Sequence, residues 1–406
     1  MTGILEGLRV IDMGLWVAGP AAGVMLADWG AEVILVEPLS GEQGRGIGRA
    51  SRVSSVIKFD GGEVNWRAQL LNRNKKGLAL DLKKASGRDI FYKLIEKVDV
   101  FISNYQVSAL NKLNLDYTTL SQLNPRLVYG VITAYGTKGP DKDERGYDYS
   151  AAWARSGFQY LIGEPGSTPP TPRGGMMDRA SGTNMVAGIL AALLHREKTG
   201  KGQELDVSLY HTGVWILASD IHSALVGMPS PKSDRTRAPN PIWNTYRTKD
   251  DRWVFLAMLQ PDVYWPYVCR AIERPELEND PRFNTTQTRE EHCQELISIL
   301  DEILVSKNLG EWERCFRQNN CIYGRVQSPV EVTNDPQAIA NNFFATIDHP
   351  AVGAMKVVAT PVNFHQNPAS VRTPTPEIGQ HTEEILLDLG YSWDDIARLK
   401  EQGVIL

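Results

Sequence analysis

Asp178 closes the run Gly174-Gly-Met-Met-Asp178, immediately ahead of a predicted helix beginning at Ser181. A carboxylate in that place ordinarily serves as a cap or a partner of the helix dipole. Two features point past that role. The glycine pair lets the backbone approach a ligand closely, and the dipole would hold Asp178 ionised, which suits a nucleophile better than a general acid. Ser181 offers an equally good cap and leaves Asp178 free for chemistry.

A second candidate is the turn Gly14-Leu-Trp-Val-Ala-Gly19-Pro, directly after the first predicted strand. It departs from Gly-x-Gly-x-x-Gly, because Trp16 stands where the second glycine would let a pyrophosphate approach. Conventional nicotinamide binding is disfavoured on that ground. Val17 and Ala18 either face a ligand or only permit tight helix-to-sheet packing, and the sequence leaves both readings open. Lys75, Lys76, Lys83, Lys112 and Arg145 fall near predicted strand ends, where several cations around one crevice could hold phosphates. Tyr105 and Tyr147 between them could cover an adenine or a pantetheine arm. The His and Cys residues show no metal-ligand spacing, so no metal is expected.

These groups need a frame to bring them together. Short β-branched runs at 8–13, 32–36, 78–82, 98–102 and 127–132 alternate with helical patterns at 18–29 and 87–97. That alternation predicts parallel βαβ units, and apolar runs on most strands predict a sheet covered on both faces. The expected fold is α/β, Rossmann-like and doubly wound, with ligands beyond the carboxyl ends of the strands. A helix over 181–196, ended by Lys198-Thr-Gly200-Lys-Gly202, leads to a strand over 204–209. Residues 1–225 read as a large domain carrying the ligand crevice, 226–332 as a smaller α+β domain, and 333–406 as a segment returning to the large one.

The chain has 406 residues and a formal charge of −5, with no Lys/Arg-rich run, which argues against nucleic acid or an anionic membrane as partner. The most apolar stretch, 13–27, falls short of the roughly 20 residues that span a bilayer. The first residues lack the pattern of a secretory signal. Four scattered cysteines, Cys269, Cys293, Cys315 and Cys321, read as reduced thiols of a cytoplasmic protein.

Taken along its length, the chain resembles the family III CoA-transferases, the group of formyl-CoA transferase and crotonobetaine CoA-transferase. The resemblance rests on Leu5-Glu-Gly-Leu-Arg-Val-Ile-Asp with Ala18-Gly-Pro, Asn74-Lys-Lys with Leu80-Asp-Leu-Lys83, Leu123-Asn-Pro-Arg, Gly174 to Asp178, Ala191 to Gln203, and Gly379-Gln-His-Thr-Glu383. Gly139-Pro-Asp-Lys-Asp143, Gly146-Tyr-Asp-Tyr149 and Asn240-Pro-Ile look most like the branch acting on 2-hydroxy acids, such as phenyllactate CoA-transferase.

The resemblance implies an interlocked, ring-like homodimer and Asp178 as catalytic nucleophile, carrying first an acyl group as a mixed anhydride and then CoA as a thioester. CoA enters as substrate, with no permanently bound cofactor. Its contacts would fall on Val17, Ala18, Leu80, Asp81, Leu82, Lys83, Asn104, Tyr105, Gln106, Lys112, Arg145, Tyr147 and Asp148. Val17 and Pro38 replace a glutamine and an arginine of the formyl-CoA branch, and the family's glycine lid has Asn240-Pro-Ile-Trp243 in its place. A racemase of the same fold would need a histidine near Tyr147, which is missing. A non-catalytic CoA-binding module would use Asp178 only as a cap.

Overall fold

The computed structural model describes residues 3–46, 55–60 and 62–406. Among them the chain forms two compact units. One comprises 1–159, 171–228 and 337–406, and the other 160–170 and 229–336.

The first unit is built on six parallel strands: β1 (Arg9–Met13), β2 (Glu32–Glu37), β3 (Lys75–Ala79), β4 (Val100–Ser103), β5 (Val128–Thr133) and β6 (Gln203–Ser208). Their order across the sheet is β3-β2-β1-β4-β5-β6. The chain runs outward from β1 to β3, then returns to lay β4 on the other side of β1. The direction of winding reverses between β1 and β4, and in open α/β sheets ligands bind beyond the carboxyl ends of the strands at such a reversal.

Side chains alternate across this sheet with the period of two that a strand imposes. Val10, Val33, Val100, Ile102 and Val128 face helices α1 (Ala18–Asp28) and α3 (Met176–Thr199). Ile11, Met13, Ile34, Val36 and Phe101 face α2 (Ala85–Ile95) and the C-terminal helices Thr382–Asp388 and Trp393–Glu401. On α2 the buried residues Ile90, Phe91, Leu94 and Ile95 recur on one stripe, and burial of each large apolar side chain is worth about 1.5–3 kcal/mol. The expected doubly covered sheet is therefore present.

Two expected elements shift, and both shifts matter. The third strand covers Lys75–Ala79 instead of 78–82, so Leu80 to Lys83 lie in the loop that follows it. Lys75 and Lys76 consequently sit at the strand's amino end. The long helix begins at Met176, five residues earlier than its apolar periodicity suggests, because Gly175 adopts a left-handed backbone (φ 80°) and starts it. Asp178 thus lies inside the first turn. Ser181 caps nothing: it is buried, with its hydroxyl donating to Thr212 Oγ1 at 2.9 Å. At the other end Gly200 (φ 74°) closes the helix as expected.

Helix α1 packs against α3 with glycines at the contact. A Cβ on Gly182 would lie 3.0 Å from the Ala18 carbonyl oxygen, and one on Gly23 would lie 2.2 Å from Asp12 Oδ2. Side chains at either position would force the helices or the sheet apart.

The second unit holds a three-stranded antiparallel sheet, β7 (Trp243–Arg247), β8 (Trp253–Ala257) and β9 (Tyr323–Arg325), in the order β9-β8-β7. Helices Pro261–Ala271, Cys293–Leu304 and Leu309–Gln318 pack on it around Trp265, Trp312 and Phe316. Asn240 is tied into this unit, its amide donating to the Met258 carbonyl at 2.8 Å.

Candidate active site

The first turn is pinned amide by amide. The Gly14 N–H donates to Asp12 Oδ1 at 2.9 Å, that of Leu15 to Asn104 Oδ1 at 2.6 Å, and that of Trp16 to Glu42 Oε2 at 3.4 Å. Asn104 closes the clamp by donating to the Leu15 carbonyl at 2.8 Å. Asp12 is fixed in turn by Lys75, whose buried ammonium reaches Asp12 Oδ2 at 2.6 Å, Asn72 Oδ1 at 2.9 Å and the Pro20 carbonyl at 3.1 Å. Glu42 is buried, which raises its pKa against the opposing pull of the Gly44 and Trp16 amides.

So constrained, Trp16 takes a left-handed backbone with φ 63°, a conformation that costs roughly 1–3 kcal/mol for a side chain of this size. The chain then enters α1, whose first residue has no side-chain cap. Pro20 has no N–H to offer, so the amides of Ala18 and Gly19 form the donor end of this helix.

Facing this turn is the start of α3. Val17 Cγ1 lies 3.6 Å from where a Cβ on Gly175 would stand. The Gly175 N–H donates to Asp148 Oδ2 at 2.7 Å, so a carboxylate distant in sequence holds the helix start that Gly175 itself cannot cap. Asp148 is buried, and its Oδ1 has no well-aligned hydrogen-bond partner. Burial raises the Asp148 pKa, while the amides of Gly175, Met177, Asp178 and Met176 favour its ionised form.

Asp178 projects one turn further on. Its carboxylate is half-buried and, among the described residues, has no protein hydrogen bond. Burial chiefly, with the adjacent charge of Asp148, pushes its pKa up to about 7, and Arg179 only partly opposes this. The expectation that the helix dipole would keep Asp178 fully ionised is thus corrected. Asp148 already occupies the helix end, and desolvation outweighs what remains of the dipole. A carboxylate poised near neutrality, unbonded and beside a clamped turn, can attack an electrophile or exchange an acyl group.

The family model described as CoA-transferase family III matches residues 5–382. The chain belongs to CoA-transferase family III. The (R)-2-hydroxy-4-methylpentanoate CoA-transferase of Clostridioides difficile is 34% identical over 402 residues, covering 99% of each chain. The cinnamoyl-CoA:phenyllactate CoA-transferase of Clostridium sporogenes is 32% identical over 409 residues, covering 100% of this chain and 98% of its own. A solved CaiB/BaiF family protein from Brucella suis superposes with a TM-score of 0.83 at 28% identity, covering 96% of this chain and 100% of that one. The protein is an enzyme that transfers CoA, with acyl-CoA as a substrate.

Within this CoA-transferase the remaining sequence-selected residues fall into three groups. Leu80 is buried in the core with its N–H donating to the Glu37 carbonyl at 2.9 Å, whereas Lys83 is exposed and Asp81 Oδ1 accepts the Lys83 N–H at 3.0 Å. Tyr105 packs on the core, and Gln106 donates to the Asp143 carbonyl at 3.0 Å, tying the β4 loop to the 139–148 segment. Lys112, Arg145 and Tyr147 are exposed, and the Tyr147 ring meets Trp16 edge to face at 6.1 Å. The two lysines expected near phosphates do other work: Lys75 is the buried partner of Asp12, and Lys76 pairs with Glu32 at 3.2 Å and Glu384 at 2.7 Å.

Sequence reasoning passed over Asp12, Glu42 and Tyr149, whose hydroxyl lies against Gly174. Asp12, two residues before Gly14, carries the signature of an Asx turn. Glu42 carried no local signal, because it acts across 26 residues of chain.

No helix among the described residues is long and apolar enough to cross a membrane. All four cysteines are free thiols, and burial pushes the pKa of Cys269 up to about 12 and that of Cys321 to about 11.

Proposed function

We propose that Asp178 is the covalent nucleophile of an acyl-CoA:carboxylate CoA-transferase whose acceptor is a 2-hydroxy carboxylic acid. The observation that carries this reading is the half-buried, unbonded carboxylate of Asp178 with its pKa near 7, beside the clamped turn at 14–18. The acceptor class follows the two hydroxy-acid transferases to which the chain is similar.

A carboxylate oxygen of Asp178 attacks the thioester carbon of the donor and the CoA thiolate leaves, giving a mixed anhydride. The thiolate then attacks the aspartyl carbon, releasing the donor acid and leaving an aspartyl-CoA thioester. The acceptor carboxylate attacks this thioester, and the freed thiolate attacks the acceptor's acyl carbon, restoring Asp178. Each step exchanges one acyl bond for another, so thioester activation is kept from water. The tetrahedral oxyanions need preorganised donors, each worth about 3–4 kcal/mol. Ala18 and Gly19 at the uncapped end of α1 suit that task, since the Gly175 amide is already bonded to Asp148.

The CoA contacts in this reading are Val17 and Ala18, the loop Leu80 to Lys83, Asn104 to Gln106, Lys112, and Arg145 to Asp148. The large domain 1–225 binds CoA and carries the nucleophile, 226–332 forms the small domain, and 333–406 returns to the large one. Two chains interlock as a homodimer. The four free thiols support a cytoplasmic setting. Incubation with a panel of acyl-CoA donors followed by hydroxylamine and peptide mass spectrometry tests the central step: a hydroxamate on Asp178 is expected, and a wild-type enzyme that exchanges CoA without ever marking Asp178 refutes it.

A further inference from the structure

Trp16 breaks a local rule without an evident structural return. Left-handed backbone is ordinarily left to glycine or asparagine, yet the position with φ 63° carries the bulkiest side chain available. Three successive amides and the Asn104 clamp keep that backbone in place, so the strain is over-determined by its surroundings. Such strain points to a function for the side chain it positions.

The ring is only partly buried. It meets Tyr147, itself 59% exposed, edge to face, and both stand beside the start of α3. Tyr149, 50% exposed, sets its hydroxyl against Gly174, and Met176, 48% exposed, lies two residues before Asp178. Aromatic and thioether surface thus remains uncovered around the start of α3, whose first turn carries Asp178. A cluster of this kind fits an apolar ligand group.

We propose that Trp16, seated against Tyr147, is a specificity-determining wall of the acyl site and selects branched or aromatic acyl groups over small ones. The inference rests on Asp178 being the acylated residue. An edge-to-face or stacked ring beside the aspartyl carbonyl rewards a phenyl or isobutyl group with apolar contact that a methyl group cannot make.

The test compares wild type with Trp16→Asn, which tolerates the left-handed backbone and keeps the amide on Glu42, and with Trp16→Phe, which keeps a ring. The readouts are kcat/KM for CoA transfer to phenyllactate and 2-hydroxy-4-methylpentanoate relative to lactate, the inhibition constant of free CoA, and hydroxamate formation on Asp178. Trp16→Asn is expected to lower the bulky-to-small ratio roughly tenfold with CoA inhibition within twofold of wild type, and Trp16→Phe to restore most of the ratio. An unchanged ratio with Asp178 still trapped overturns the wall and leaves the nucleophile standing. A weakened inhibition by CoA, or a dimer that dissociates in light scattering, assigns the ring to CoA or to a subunit contact instead and equally overturns the proposal. Loss of trapping in the wild type would remove the nucleophile itself.

Discussion

At the scale of single residues, the site turns on two carboxylates with different duties. Asp148 takes up the helix end, and Asp178 is left half-buried, unbonded and repelled by its neighbour. In the proposed mechanism the ionised form of Asp178 attacks, so kcat/KM for the acyl-CoA donor is expected to rise with pH along a limb centred near 7. Removing the neighbouring charge with Asp148→Asn should move that limb to lower pH. A limb that stays put would mean that burial alone sets it. The same shift bears on stability. The pKa of Asp178 is raised on folding, so the native state holds the proton more tightly between about pH 4 and 7, and stability falls as pH climbs through that window. Asp178→Asn is therefore expected to abolish transfer yet to exceed wild type in stability at pH 8 by roughly 2–4 kcal/mol, the upper figure being reduced by solvent on the exposed side. At pH 4 that advantage should vanish. Urea melts at the two pH values check it.

At the scale of elements, the proposed mechanism depends on α1 and α3 starting side by side. Glycines make that start feasible: a Cβ on Gly182 would press on the Ala18 carbonyl oxygen at 3.0 Å, and Gly175 supplies the left-handed backbone from which α3 begins. Gly182→Val should wedge the helices, destabilise the fold by about 1–3 kcal/mol and slow acylation of Asp178, whereas the same change at the solvent-open Gly310 should do neither. Denaturation midpoints and trapping rates distinguish the two. Sequence periodicity located α3 but misplaced its start, because Gly174-Gly-Met-Met is not a helical pattern. The capping group that permits an early start comes from Asp148, far up the chain.

At the scale of the whole molecule, a buried ion pair joins the sheet to the crevice. Lys75 on β3 and Asp12 on β1 are both fully enclosed, and their hydrogen bonds carry on to Gly14 and Pro20. Lys75→Met would leave the Asp12 charge without a partner, with a loss of about 3–5 kcal/mol, and adding Asp12→Asn should recover part of it. The proposed interlocking of two chains predicts a dimer that persists on dilution to nanomolar concentration, because separation requires unfolding. Analytical ultracentrifugation with fluorescence detection reads this directly, and a monomer appearing on dilution would exclude a linked assembly.

The parallel sheet, its double covering and the reversal of winding between β1 and β4 were legible in the sequence, and Asp178 was singled out there as the candidate nucleophile. They follow from strand and helix periods and from local glycine chemistry, which act over a few residues. The protonation of Asp178, the clamp of Asn104 on Leu15, the strain at Trp16 and the enclosure of Lys75 were decided only in three dimensions. Each depends on burial or on a partner distant along the chain, and desolvation and charge are properties of what folding brings together.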